Sequence, residues 1–156
     1  MPFLIAQELK SVIREYKVNH IADNDPANIT VAINTAITEV ASRLVSKNDR
    51  SKNDGRLKID TKAVFTQEGD DRNPLILELT KIVTLWWLLP RSNAGVDWEV
   101  VRDRYSAAID YIKDLATGEA NDMTLPTIED PTDEDGNPIS STKPFRMGSR
   151  AKFNHE

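Results

Sequence analysis

The chain has 156 residues, of which 29% are charged and 39% hydrophobic, proportions that suit one soluble folded domain. Its formal net charge of −5 excludes the overall basic character of a typical nucleic-acid-binding domain. The absence of cysteine excludes disulfides, thiolate zinc sites and cysteine nucleophiles.

The first predicted helix runs from about Ile5 to Tyr16. Its apolar residues recur at the three- and four-residue spacing of one helical face. They are Ile5, Leu9, Val12, Ile13 and Tyr16. Residues 18–21 are predicted to be a connector, in which Ile21 turns inward.

The second predicted helix begins at Asp25-Pro26 and ends near Ser46. Asp25 can cap free backbone amides, and Pro26 suits the first helical position, where no donor is needed. The apolar stripe comprises Ile29, Ile33, Ala36, Ile37, Val40 and Leu44, and the other face carries Asn28, Thr35, Glu39 and Arg43.

A polar, mostly basic stretch follows at residues 47–58 and reads as a solvated loop. Its basic residues could contact nucleic acid, although such a loop on an acidic protein is more often simply solvated. They are Lys47, Arg50, Lys52, Arg56 and Lys58. Residues 59–65 are predicted to be a short extended segment, and residues 67–72 a turn.

The third predicted helix begins at Asn73-Pro74 and continues to Leu89. It is apolar nearly all round, which is typical of a buried helix, and it is too short and too charged for a membrane span. We expect it at the centre of the fold or partly in a subunit interface. Trp86 and Trp87, near its end, are expected to take part in core or interface packing rather than in stacking on a ligand.

The fourth predicted helix begins near Asp97, a good capping residue, and ends at Gly118, the residue type favoured just past a helix end. Its predicted inward stripe consists of Trp98, Val101, Tyr105, Ala108, Ile112 and Leu115.

The C-terminal part changes composition at Gly118. Residues 119–142 carry seven acids, no Lys or Arg and three prolines, too little apolar surface to offset chain entropy. Residues 143–153 are basic and aromatic, and we expect them to order against a partner. The predicted anchor residues are Phe145, Arg146, Met147, Arg150 and Phe153.

The predicted fold is therefore all-α: a small bundle of about four helices with a long extended C-terminal tail. We divide the chain into a helical core at residues 1–118 and a docking tail at residues 119–156.

No sequence pattern indicates catalysis. The chain has no glycine-rich phosphate loop and no Gly-x-Ser-x-Gly motif, and His20 and His155 lie far apart in sequence. The acids at residues 130–135 fail the EF-hand calcium pattern, because Pro131 falls at its first position. We predict no enzyme activity, no cofactor and no metal site.

The order of these elements resembles the head–tail connector (adaptor) proteins of tailed bacteriophages, in particular the family related to a Mu-like prophage neck protein. The resemblance lies in the Asp25-Pro26 and Asn73-Pro74 helices and in the pattern Val-Arg-x-Arg-Tyr-x-x-Ala-x-x-Tyr-Ile-x-x-Leu-Ala-x-Gly at residues 101–118. The Gly-Ser-Arg at residues 148–150 is similar to the ending of some members. The long acidic insert at residues 119–142 and the longer polar loop at residues 47–58 depart from the family pattern.

The resemblance implies a homo-oligomeric ring, usually a dodecamer, beneath the portal protein of the virion. Such a ring extends the DNA channel and offers a platform for stopper or tail proteins. The basic loop at residues 47–58 would face the channel or the next ring, and the C-terminal anchor would bind a neighbouring subunit or the portal. The alternatives are a stopper or tail-completion neck protein and a nucleic-acid-binding helical packaging subunit.

Overall fold

The computed structural model describes residues 2–23, 25–45, 58–89 and 95–128, and this part of the chain is mostly helical. A 3₁₀ helix at Ala6–Ser11 precedes five α-helices, and a 3₁₀ turn at Gly69–Asp71 lies before the fourth. The α-helices are α1 Glu15–Ile21, α2 Pro26–Val45, α3 Thr61–Thr66, α4 Pro74–Leu88 and α5 Trp98–Thr117. The all-α prediction is confirmed for these residues, in which the only β pairing is one isolated bridge.

Helix α4 lies at the centre of the core and contacts both α2 and α5. Its side chains are buried on several sides, as its nearly continuous apolar sequence predicts. Two threonines inside this core, Thr80 and Thr84, donate their hydroxyls to carbonyls one turn earlier, at 2.7 and 2.8 Å. Within the described residues, no helix is both long and apolar enough to cross a membrane.

The three long helices begin at the predicted capping residues. Asp25, Asn73 and Asp97 each accept a hydrogen bond from a backbone N–H two or three residues further on, at 2.9, 2.9 and 3.0 Å. Gly118 ends α5 in the left-handed conformation, with φ of 81°. The bounds of α2, α4 and α5 therefore lie within about two residues of the prediction, the usual uncertainty of helix ends.

The N-terminal region differs from the prediction of one helix over residues 5–16. The chain forms a 3₁₀ helix at Ala6–Ser11 and then the separate helix α1, so the predicted connector at residues 18–21 is helical instead. Ile21 is buried as expected, whereas Tyr16, predicted to face inward, is 60% exposed. Of the other predicted stripe residues, Leu9 is buried and Val12 and Ile13 pack partly buried against the core, whereas Ile5 is 38% exposed.

Arg72 holds the N-terminal segment against the turn before α4. Its guanidinium donates to both carboxylate oxygens of Glu8, at 2.6 and 2.9 Å, and to the backbone carbonyls of Phe3 and Gly69, at 2.7 and 2.8 Å. The hydrogen bonds from Arg72 are the main reason why the pKa of Glu8 lies below its usual value. The pair joins two segments 64 residues apart, which local helical periodicity cannot indicate.

Replacing Glu8 by glutamine is expected to lower the free energy of unfolding by about 1–2 kcal/mol at pH 7, because Arg72 loses charge-assisted hydrogen bonds. Since folding lowers the pKa of Glu8, its contribution is complete above the unfolded-state pKa and is lost as the pH falls through the folded-state pKa. Urea unfolding at pH 7 and pH 3 should show the wild type and Glu8→Gln converging in acid. A difference that stays constant with pH would contradict this role.

Residues 59–65 are not the predicted extended segment, because most of them form helix α3. Asp60 caps this helix by accepting the N–H of Ala63 at 3.0 Å, and Val64 is fully buried. Within this segment only Ile59 makes a β-type pairing, a single antiparallel bridge with Thr127.

Residues 119–128, the first ten of the predicted tail, lie against the core. Asn73 donates from its amide nitrogen to Asp122 and to Thr124, both at 2.8 Å, while its oxygen caps α4. Leu125 is 4% exposed and belongs to the main apolar cluster. The described chain therefore continues past Gly118 as part of the folded unit, and residues 129–156 lie outside the described residues.

Candidate functional site

All three tryptophans of the chain lie where the end of α4 meets the start of α5. Trp86 stacks on Tyr105, with ring centroids 4.6 Å apart and planes 15° apart, and it contacts Trp98 at 4.8 Å. Trp98 was predicted to face inward, but it is 44% exposed because it stands at the first position of α5. We call Trp86, Trp87, Trp98 and Tyr105 the tryptophan edge.

Glu39 of α2 accepts hydrogen bonds from two residues of the tryptophan edge, Trp87 and Tyr105. One carboxylate oxygen accepts from the Tyr105 hydroxyl at 2.7 Å and from Arg43 Nε and Nη2 at 3.0 and 2.7 Å. The other oxygen accepts from Trp87 Nε1 at 2.8 Å. A single carboxylate, 13% exposed, thus joins α2, α4 and α5 at the surface.

This network keeps Glu39 ionised. Burial alone would raise the pKa of Glu39, but the hydrogen bonds from Tyr105, Arg43 and Trp87 outweigh burial and hold the pKa below its usual value. Burial and the hydrogen bond to Glu39 raise the pKa of Tyr105. A carboxylate that accepts four hydrogen bonds and has a lowered pKa is a weak base. Glu39 therefore serves to hold Trp87, Tyr105 and Arg43 in place.

Replacing Tyr105 by phenylalanine is expected to lower the free energy of unfolding by about 1–2 kcal/mol. The change removes the hydroxyl that donates to Glu39 and keeps the ring available to stack on Trp86. Urea unfolding should show this loss, while Tyr16→Phe, at a residue 60% exposed, should stay within about 0.5 kcal/mol of the wild type. If the two substitutions changed the free energy of unfolding equally, the hydroxyl of Tyr105 would contribute nothing to stability.

Beside the tryptophan edge, the outward face of α2 is a stripe without charge. The residues recur at the three- and four-residue helical spacing, and we call them the α2 stripe. They are Val31, Asn34, Thr35, Thr38, Ser42 and Val45. Glu39 and Arg43, the charged residues of this helix, project toward the tryptophan edge instead.

The hydroxyls of the α2 stripe are already satisfied within the helix. Thr35, Thr38 and Ser42 each donate to a carbonyl three or four residues earlier, at 2.8 Å in every case. Because each hydroxyl hydrogen already bonds to a carbonyl of the helix, covering the hydroxyl with another surface removes few of its hydrogen bonds with water. The three hydroxyls can therefore be buried at low desolvation cost, and the amide of Asn34 is the polar group of the stripe that would need a partner in an interface.

A shallow depression of about 480 Å³ joins the α2 stripe to the tryptophan edge. Trp87, 41% exposed, forms one wall. The lining residues are Asn34, Thr35, Thr38, Glu39, Ser42 and Trp87. Centres of protein interfaces are depleted in charge and enriched in Trp and Tyr. Apart from Glu39, whose carboxylate is paired with Arg43, this surface has the composition of an interface core. Among the described residues, no three His, Asp or Glu side chains are grouped closely enough to hold a metal ion.

The residues singled out in the sequence have different positions. Trp86 is half-buried inside the aromatic stack, and Trp87 is exposed beside the depression. Lys58 is half-buried, and its backbone carbonyl accepts the N–H of Ile128 at 2.7 Å. The other predicted residues lie outside the described residues: Lys47, Arg50, Lys52 and Arg56 of the loop, and Phe145, Arg146, Met147, Arg150 and Phe153 of the anchor.

Sequence reasoning missed the role of Glu39. One local signal was present, the four-residue spacing of Glu39 and Arg43, which indicates an ion pair on one helix. The partners on α4 and α5 lie 48 and 66 residues away, so only the tertiary structure brings them to this carboxylate.

Comparison of the chain with protein-family models, with curated proteins and with solved structures found no match in any of the three.

Proposed function

We propose that this protein is a structural virion protein, the head–tail connector (adaptor) of a tailed bacteriophage. In this proposal, copies of the chain form a ring beneath the portal, extend the DNA channel and join the capsid to the tail. The observation that carries the proposal is the uncharged α2 stripe beside the exposed Trp87, which has the composition of a subunit interface.

In this proposal the surface contacts a different surface of a second copy. The α2 stripe follows one face of a helix, and the tryptophan edge lies beside it, with Trp87 and Trp98 exposed and Trp86 and Tyr105 half-buried. Identical subunits that join through two different surfaces close into a ring when the rotation between them permits. The resemblance to phage connectors supplies the expected ring, a dodecamer, and its place in the neck of the virion.

The remaining parts of the chain have proposed partners in the same assembly. The anchor residues of the C-terminal tail bind a neighbouring subunit or the portal, and ordering on binding fits their composition. The basic residues of the loop at 47–58 face the channel or the next ring, where they meet DNA phosphates without reading sequence. Stopper or tail proteins bind the ring on the side opposite the portal, after assembly in the host cytoplasm.

The mass of the native assembly tests this proposal. Light scattering and native mass spectrometry would be run on the protein alone and on its mixture with the portal protein of the same phage. We expect a ring, formed either by the protein alone or on the portal. A protein that stays monomeric and does not bind the portal would contradict the connector function.

A further inference from the structure

A second surface, between α2 and α3, is an apolar groove of about 660 Å³. Four of its lining side chains are apolar, and Lys62 is the charged one. The lining residues are Ile37, Thr38, Ala41, Ser42, Val45, Thr61, Lys62 and Phe65. We call this surface the α2–α3 groove. Its volume lies within the range of about 300–1,000 Å³ that is usual for pockets that bind small ligands. It shares Thr38, Ser42 and Val45 with the α2 stripe, so a segment docked in the groove would lie beside a second copy that covers the stripe and would contribute to the same interface.

The folded chain leads directly to this groove. A neighbouring cavity of about 390 Å³ shares Val45, Thr61 and Lys62 with the groove, and Ile128 forms part of its lining. The last described residue thus lies next to the groove, and 28 residues, 129–156, follow it in the sequence. The C-terminal segment therefore starts at the edge of an apolar surface.

The composition of the chain identifies a suitable occupant. Residues 46–57, which follow Val45 in the sequence, contain one apolar side chain, Leu57. Phe145, Met147 and Phe153, in contrast, lie within nine residues of one another. Each phenylalanine can bury about 150–250 Å², and methionine adapts to irregular gaps, so this segment can cover the groove where the polar loop cannot.

The length of the intervening chain permits the contact. Sixteen residues lie between Ile128 and Phe145, so the chain takes 17 steps from one to the other. A flexible chain of this length spans about 20–25 Å on average, and about 60 Å when fully extended. The docking segment, residues 145–153, also carries three basic residues, Arg146, Arg150 and Lys152, which exposed Lys62 would repel. Water and salt screen such an exposed pair, so apolar burial dominates.

We propose that the α2–α3 groove is the binding site for residues 145–153 of this chain. The groove receives Phe145 and Phe153 as its main apolar contacts, and Met147 lies between them in the sequence. The inference rests on the connector proposal and deepens its tail contact: the anchor occupies the groove of its own chain in the isolated protein, and the same groove of a neighbouring subunit receives it in the ring. It requires no portal, so it can be tested apart from ring assembly.

Disulfide trapping in the full-length protein tests the contact cleanly, because the chain contains no cysteine. The test protein carries Val45→Cys with Met147→Cys. The control carries Val31→Cys with Met147→Cys, since Val31 is on the same helix, is similarly exposed at 51% against 55%, and is not part of the groove lining. A mild oxidant is added, and the cross-linked product is identified by peptide mass mapping.

We expect the pair at 45 and 147 to cross-link at least about tenfold faster than the control pair, because docking raises the effective concentration of one thiol near the other. Adding Phe145→Ser and Phe153→Ser to the test protein should reduce its rate to that of the control. Equal rates for the two cysteine pairs, or a rate that ignores the two phenylalanines, would overturn the inference. Because no portal is present, either result leaves the native-mass test of the connector function unaffected.

Discussion

Truncating the chain after Gly118 is expected to lower the free energy of unfolding by about 3–5 kcal/mol. The truncation removes Leu125, which is 4% exposed, and opens the apolar cluster that it covers. It also removes Asp122 and Thr124, which accept the two hydrogen bonds of the buried Asn73 amide nitrogen. Native domains are stable by only about 5–15 kcal/mol, so the shortened protein should be only marginally folded.

The matched control is a truncation after Ile128, which keeps every one of these contacts. We expect it to be several kcal/mol more stable than the truncation after Gly118, because the core contacts that Leu125 and Asn73 make are unchanged, and its remaining difference from the full-length protein measures the docked C-terminal segment. Urea unfolding followed by circular dichroism measures both proteins. Equal stability of the two truncations would show that residues 119–128 add nothing to the core, contrary to the buried position of Leu125.

Replacing Asn34 by lysine is expected to weaken ring assembly at least about 100-fold without unfolding the protein. Asn34 is exposed and lines the depression beside Trp87, so the new ammonium group would be buried without a partner between two copies. An unpaired charge in an interface costs several kcal/mol, and about 1.4 kcal/mol corresponds to a tenfold change in affinity. Lysine also has a better helix propensity than asparagine, so the free monomer should keep its stability.

The matched control for this substitution is Ser106→Lys, which adds the same charge at an exposed position of α5 outside the α2 stripe. Assembly by this variant should equal that of the wild type, measured as the concentration at which the mass of the ring appears in light scattering. If both lysine variants assemble normally, the α2 stripe is not a subunit interface. If both fail, the defect comes from added charge in general.

The long helices were predictable because each carries its own local start and stop signals. Asp97 caps α5, and Gly118 ends it in a conformation that glycine adopts easily. The core position of α4 also followed from its own sequence, since an almost wholly apolar helix of fifteen residues has to be buried. These signals act within a few residues, where sequence reasoning is strongest.

The parts that were missed depend on contacts between distant residues. The N-terminal segment follows the pair of Glu8 and Arg72, 64 residues apart, rather than its own helical periodicity. Leu125 reads as part of an acidic tail, yet it packs into the core because the bridge of Ile59 with Thr127 brings that segment back. Local composition could not reveal either contact.

The candidate site was predictable in part. The paired tryptophans drew attention to the end of α4, and they lie beside the depression and in the aromatic stack. The α2 stripe was less evident, because Thr35 read only as a polar position on the outer face. Whether Thr35 can be buried cheaply depends on the acceptor of its hydroxyl. In the structure that acceptor is the backbone carbonyl of Val31.

Oxidative footprinting of the tryptophans would test most directly whether the tryptophan edge and the α2 stripe lie between copies of the chain. Trp87 and Trp98 are 41% and 44% exposed, so hydroxyl radicals should oxidise both in the isolated protein. In the assembly with the portal, we expect several-fold protection of Trp87 and Trp98, while Tyr16 serves as the exposed reference. A ring in which Trp87 is oxidised as fast as in the isolated chain would contradict the account.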